Sequence, residues 1–101
     1  MNRLPVRNAG DRALCLFLEP GGEDYWIAPG KALLVLPTAE GIDAQFDVTV
    51  GPDLVSVRIH ESDDCTKVVL AYRVTDEHGA TVECGHGRPS EHPRPPEPVS
   101  G

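Results

Sequence analysis

Proline and glycine interrupt this chain so often that its apolar runs stay short. Pro20-Gly21-Gly22 ends the apolar run 13–18, and Pro37 ends the run 31–36. Proline fixes φ and lacks an amide hydrogen, whereas glycine reaches the positive φ values of tight turns. Runs of this length fit strands, and the connections between them are too short for helical crossovers. The spacing of these residues therefore predicts an all-β fold.

The clearest alternation covers residues 45–50 and 54–61, which are joined by the turn Gly51-Pro52-Asp53. Apolar residues occupy every second position of both segments: Phe46, Val48 and Val50, then Val55, Val57 and Ile59. Successive side chains of a strand point to opposite faces. We therefore expect an antiparallel hairpin that buries these residues and leaves His60 on its solvent face.

The other predicted strands are residues 3–7, 13–18, 25–27, 31–36, 66–75 and 80–84. Pro5 indicates that the first of them lies at a sheet edge. In the long strand 66–75, Val68 and Leu70 are expected to share one face with Val74. These segments predict a small antiparallel β-sandwich of about seven to eight short strands, either immunoglobulin-like or an open-barrel variant.

The composition changes near Gly85. Five of the ten prolines follow at positions 89, 93, 95, 96 and 98, with Val99 as the one sizeable aliphatic residue. Such a segment cannot bury enough apolar surface to offset the entropy of ordering it. We expect a sandwich domain at 1–86 and a disordered, proline-rich tail at 87–101.

Charge and cysteine content limit the partners and the compartment. Nine basic and 16 acidic residues give a net charge of −7, which repels phosphate groups and argues against nucleic acid and anionic membranes as partners. No apolar run resembles a signal peptide or a membrane span. Cys15, Cys65 and Cys84 are odd in number, which favours reduced thiols. The predicted location is the cytoplasm.

The candidate binding residues are Glu23, Asp24, Tyr25 and Trp26, in the turn-rich stretch between the first two apolar runs. Tyr25 and Trp26 form either a packed anchor or a stacking surface for a ligand. The carboxylates beside them would attract a basic partner.

Metal or thiol chemistry has weaker support. Cys84 and His86, with His60 as a further ligand, are the candidates for a metal site, but their spacing matches no known signature. A catalytic pair would use Cys65 or Cys84 as nucleophile and His60, His78 or His86 as base. No orienting third group or oxyanion hole accompanies them. The sequence therefore predicts no cofactor and no catalytic residue.

Two turns resemble motifs of immunoglobulin-like bacterial sandwiches. The segment Val6-Arg7-Asn8-Ala9-Gly10 is similar to their V-x-N-x-G turn, and Ile27-Ala28-Pro29-Gly30-Lys31 is similar to their I-x-P-G-x turn. The chain from Leu16 to Val35, with the ending Cys84-Gly85-His86-Gly87-Arg88-Pro89, also resembles small uncharacterised bacterial proteins of this length. The resemblance implies the sandwich fold and no activity.

Three functions remain open from the sequence. The favoured hypothesis is a non-catalytic interaction or accessory module that binds a protein partner, or itself, through a sheet edge or an exposed face. The second is a small-ligand-binding domain that uses Tyr25 and Trp26. The third is a metal- or thiol-dependent enzyme that uses Cys84 and His86.

Overall fold

The computed structural model describes residues 3–61 and 64–89, and these residues form eight strands and no helix. The strands are β1 (Leu4–Arg7), β2 (Leu14–Glu19), β3 (Glu23–Ile27), β4 (Ala32–Pro37), β5 (Ala44–Val50), β6 (Leu54–Glu61), β7 (Asp64–Val68) and β8 (Tyr72–Asp76). The predicted all-β class and strand number are confirmed. Ser62 and Asp63, from a predicted loop, and residues 90–101, most of the predicted tail, lie outside the described residues.

The strands form two sheets. The smaller sheet has the order β1-β4-β8, and the larger has the order β3-β2-β6-β5, with β7 also paired to β6. Every pair is antiparallel except β2 with β6, which are parallel. That pair arises because the chain leaves the larger sheet after β3, adds β4 to the smaller sheet and then returns as the β5–β6 hairpin.

One apolar core lies between the sheets. The larger sheet contributes Leu16, Leu18, Tyr25, Ile27, Ala44, Val55, Val57 and Ile59, and the smaller sheet contributes Leu33, Val35 and Val74. A second, smaller cluster of Cys15, Phe17 and Trp26 lies on the outer face of the larger sheet. The continuously apolar β2 is therefore buried on both faces, as its sequence predicts.

Asn8 fixes the turn that follows β1. Its Nδ2 donates to the carbonyl oxygens of Arg12 at 2.7 Å and Ile27 at 2.8 Å, and its Oδ1 accepts from the amide of Gly10 at 2.9 Å. The buried amide therefore ties this turn to the end of β3. The asparagine and glycine of the V-x-N-x-G turn have a structural role.

The predicted long strand 66–75 is wrong. The chain leaves the larger sheet after Val68 and enters the smaller sheet at Tyr72, so the alternation breaks between β7 and β8. Val69 and Val74 are buried, whereas Leu70 is 68% exposed. The run looks continuous in the sequence because β7 and β8 both consist of β-prone residues and only three residues separate them.

The predicted strand 80–84 is also wrong. It is reduced to one isolated bridge between Thr75 and Thr81, after which residues 84–87 form a turn. Ordered contacts nevertheless continue beyond the predicted tail boundary, because Arg88 is paired with Asp24. The sequence offered no signal for this contact, since the proline-rich composition begins at the same place.

The predicted faces of the β5–β6 hairpin are correct for both strands, because Phe46, Val48 and Val50 lie opposite Ile59, Val57 and Val55. The predicted burial is confirmed for these three residues of β6 but is wrong for Val48 and Val50 of β5. Val48 is 45% exposed and Val50 is 73% exposed, because β5 lies at the rim of the larger sheet, where the three-stranded sheet does not cover it. His60 is buried rather than solvated. Its Nδ1 lies 2.7 Å from the carbonyl oxygen of Glu61, and its Nε2 lies 3.7 Å from Asp47 Oδ1.

Candidate functional site

The predicted binding stretch Glu23-Asp24-Tyr25-Trp26 is the body of β3. Alternation sends Glu23 and Tyr25 to the core side of the sheet, and Asp24 and Trp26 to its outer face. Tyr25 and Trp26 are both buried. The two rings therefore do not form a shared exposed floor, and the carboxylates are divided between two environments.

Asp24 lies at the centre of a group that we call the Asp24 cluster, formed by Asp24, Trp26, Cys84 and Arg88. Arg88 donates from Nε to Asp24 Oδ2 at 2.8 Å and from Nη2 to Oδ1 at 2.5 Å. Trp26 Nε1 donates to Oδ2 at 2.8 Å, and the Cys84 thiol lies 3.5 Å from Oδ1. A two-pronged guanidinium and an indole therefore satisfy a carboxylate that is 1% exposed.

The electrostatics of the Asp24 cluster follow from these contacts. The hydrogen bonds from Arg88 lower the pKa of Asp24, outweighing the opposite effect of its burial. Burial raises the pKa of the Cys15 thiol to about 12, and burial also raises the pKa of Cys84. The Asp24 carboxyl group is therefore ionised at neutral pH, and the raised pKa values of Cys15 and Cys84 favour the protonated thiols.

Residues 85–87, between Cys84 and Arg88 of the Asp24 cluster, cover the free edge of β3. Gly85 donates its amide to the carbonyl oxygen of Asp24 at 2.6 Å, and the amide of Trp26 donates to the carbonyl oxygen of His86 at 2.7 Å. Gly87 has φ of +69°, and a Cβ there would lie 2.8 Å from the carbonyl oxygen of Trp26. Glycine is required at this position, because any side chain would push the segment off β3.

On the core side, Glu23 joins the two sheets. Its Oε1 accepts hydrogen bonds from the hydroxyls of Tyr25, at 3.1 Å, and Tyr72 of β8. Burial raises the pKa of both tyrosines. These side chains line an open recess of about 440 Å³, with Leu70 and Arg73 among its other lining residues. Because Glu23 of β3 accepts hydrogen bonds from Tyr25 of the same strand and from Tyr72 of β8, these three side chains hold β8 against the larger sheet.

The candidate metal ligands are not brought together. His60 lies in β6 and contacts Glu61 and Asp47, whereas Cys84 and His86 lie beside β3. Within residues 3–61 and 64–89, no three histidine, cysteine or acidic side chains are grouped as a metal site would need. The side chain of Cys65, the alternative nucleophile, is outside the described part of the chain.

The opposite edge of the larger sheet is built differently. Gly51 donates its amide to the carbonyl oxygen of Leu54 at 2.7 Å, which makes this a hydrogen-bonded pair of the β5–β6 hairpin. Bonded and non-bonded pairs alternate along an antiparallel ladder. With the register Val50–Val55 and Val48–Val57, the backbone N–H and C=O groups of Phe46, Val48 and Val50 point away from β6. We call this outward side, with these three residues, the β5 edge.

Other strand edges among the described residues are covered or interrupted. Residues 80–82 bond to the outer side of β8, through Val82 to Val74 and Asp76 to Ala80. In β1, the register with β4 turns Pro5 outward, and proline has no N–H to offer a further strand. β7 is short, meets β6 across a bulge and carries Asp64 and Lys67. In the described part of the chain, no segment pairs with the β5 edge.

The β5 edge was missed by residue-level reasoning, which treated Val48 and Val50 as core. What identifies this edge is the position of β5 at the end of the sheet order, and the alternation of residues in the sequence carries no information about that order.

Comparison of the chain with protein-family models, with curated proteins and with solved structures found no match. A search of the described residues found no helix of the length and apolarity needed to cross a membrane.

Proposed function

We propose that this protein is a non-catalytic interaction module that acts in the cytoplasm and binds a protein segment along the β5 edge. One observation carries the proposal: Val48 and Val50 have backbone groups that point away from β6, and their apolar side chains are also exposed. Exposed edges of this kind add a strand from another chain, so that backbone hydrogen bonds give affinity and alternate side chains give selectivity.

The composition of the β5 edge supports the same proposal. Natural edge strands usually carry charges, proline or bulges that prevent pairing. β5 has one charged residue, Asp47, and that residue lies on the opposite face from Val48. Its seven residues pair with β6 without a bulge. Cys15 and Cys84 are free thiols, which supports a reducing compartment.

The test is site-specific photo-cross-linking in native cell extract. A benzophenone amino acid is placed at Val50, and in a matched control at Lys31, which is also exposed but precedes β4. We expect covalent protein adducts from position 50 that disappear when Val48→Pro is added, because proline removes an outward N–H without breaking a β5–β6 bond. Equal adducts at both positions, none at position 50, or adducts at position 50 that persist in Val48→Pro would overturn the proposal.

A further inference from the structure

The β5 edge is complementary to itself. From this we infer that its occupant is a second copy of this chain, paired antiparallel about a two-fold axis at Val48. The inference rests on the proposed function and names the partner for it. It predicts a symmetric dimer whose larger sheets join into one continuous sheet across two β5 strands.

Backbone geometry limits the registers such a dimer can use. The residues with outward groups, Phe46, Val48 and Val50, must pair with one another to form hydrogen bonds across the axis. Centring on Val48 opposes Val48 to its counterpart and Phe46 to Val50 of the second copy. All three residues then exchange hydrogen bonds, and the ladder covers the open part of β5.

The neighbouring registers are less favourable. A shift toward the start of β5 places Asp47 directly opposite Asp47 of the second copy, and like charges at that position are destabilising. A shift the other way opposes Phe46 to Pro52, which has no N–H to donate. In the register centred on Val48, Asp47 instead faces Thr49. Charge and hydrogen bonding therefore select the same arrangement.

Side-chain burial agrees with this register. Val48 and Val50 lie on the same face as Phe46, which already packs against the core. Pairing would place the valines of each copy beside the apolar residues of the other, so their exposed surface would be removed from water. Each copy carries a net charge of −7, so the long-range repulsion between copies is screened as salt rises. The dimer should tighten with ionic strength.

The first measurement is sedimentation of the purified full chain over a range of concentrations. We expect a monomer–dimer equilibrium, and we expect Val48→Pro to raise the dissociation constant at least about tenfold by removing one hydrogen bond per copy. Val48→Lys is a second variant that leaves the backbone intact and opposes two cations at the axis. Circular dichroism shows whether each variant keeps its sheet content.

The second measurement identifies the register by cross-linking. In this register the two Cα atoms of Val48→Cys lie about 5.5 Å apart, within disulfide reach, whereas those of Val50→Cys lie roughly 14–15 Å apart. Both variants also carry Cys65→Ser and Cys84→Ser, which remove competing thiols. Cys15 is kept, because it is fully buried. Under mild oxidation, we expect a covalent dimer from position 48 and none from position 50.

The outcomes separate this inference from the proposed function. A monomer at every concentration, or equal cross-linking from both positions, would overturn the second copy as occupant. If the adduct from position 50 in extract is then a different protein, docking at the β5 edge stands with another partner. A dimer unaffected by both Val48→Pro and Val48→Lys would show that association uses another surface.

Discussion

The two edges of the larger sheet differ in how the chain treats them. At β3, residues 85 and 86 bond to the backbone and the Asp24 cluster fastens them in place. At β5, no described segment bonds to the outward groups of Phe46, Val48 and Val50. One edge is covered by the chain itself, and the other has no cover among the described residues.

The difference shows what covering an edge requires. At β3 the covering segment has little apolar surface, so its attachment depends on a guanidinium that reaches a buried carboxylate. A charge buried without its partner is costly, and this cost holds the segment against β3. No described segment is held against β5 by an ion pair of this kind, and Val48 and Val50 are exposed there.

The largest expected difference between the edges concerns side-chain truncation. Trp26→Ala should lower the free energy of unfolding by about 3–5 kcal/mol, because it empties a buried site and removes a hydrogen bond to Asp24. Val50→Ala, the matched variant on the other edge, should change it by less than about 0.5 kcal/mol in the monomer. Denaturant unfolding at low protein concentration measures both. A similar loss from Val50→Ala would mean that β5 is packed within the monomer.

The second prediction concerns the charge at β3. Asp24→Asn should lower stability at pH 7 by about 2–3 kcal/mol, because charge-assisted hydrogen bonds from Arg88 and Trp26 are weakened. The pKa of Asp24 is lowered in the folded state, so the stability it provides is complete above roughly pH 4 and is lost as the pH falls through the folded pKa. The variant should therefore show a flatter loss of stability on acidification.

The control for this prediction is Asp11→Asn, which neutralises an exposed carboxylate in the turn after β1. Asp64 and Asp76 also have lowered pKa values, through hydrogen bonds from Thr66 and from the Ala80 backbone respectively. Asp64 and Asp76 are present in the parent protein and in both variants, so their contributions cancel when the curves of stability against pH are subtracted. Thermal unfolding from pH 7 to pH 2 supplies the data. Parallel curves for the Asp24 variant and the parent would contradict the assigned role of Arg88.

The smallest expected effect comes from shortening the chain. A protein ending at Pro89 should melt close to the full chain, because Arg88 is retained. A protein ending at His86 should melt roughly 5–15 °C lower, because Asp24 loses its guanidinium partner. Calorimetry of the two proteins gives the comparison. Equal melting temperatures would show that the cover on β3 does not depend on residues 87–89.

Short apolar runs and turn residues were enough to predict the fold class and most strands. Local alternation identified the buried positions of β6, since Val55, Val57 and Ile59 have neighbours on both sides. The same reasoning failed at Val48 and Leu70, where the pattern is equally apolar. Alternation reports which face a side chain takes, and whether another layer covers that face is a property of distant segments.

At the candidate site, too, the sequence identified local features and missed the contacts with distant segments. The sequence drew attention to Glu23, Asp24, Tyr25 and Trp26 as neighbours, and their composition suggested a single exposed surface. The structure separates them by face and gives Asp24 a partner 64 residues away. Neither Arg88 nor Gly87 has a local pattern that marks it as part of β3, because the contact is made only after both sheets have formed.

The sequence by itself determined that this chain forms strands, where they turn and which residues are suited to a core, because these depend on backbone preferences and on period-two burial. Tertiary structure decided which edges are covered, since that depends on the sheet order and on one long-range ion pair. The exposed side of β5, where the function is proposed, is a consequence of that order.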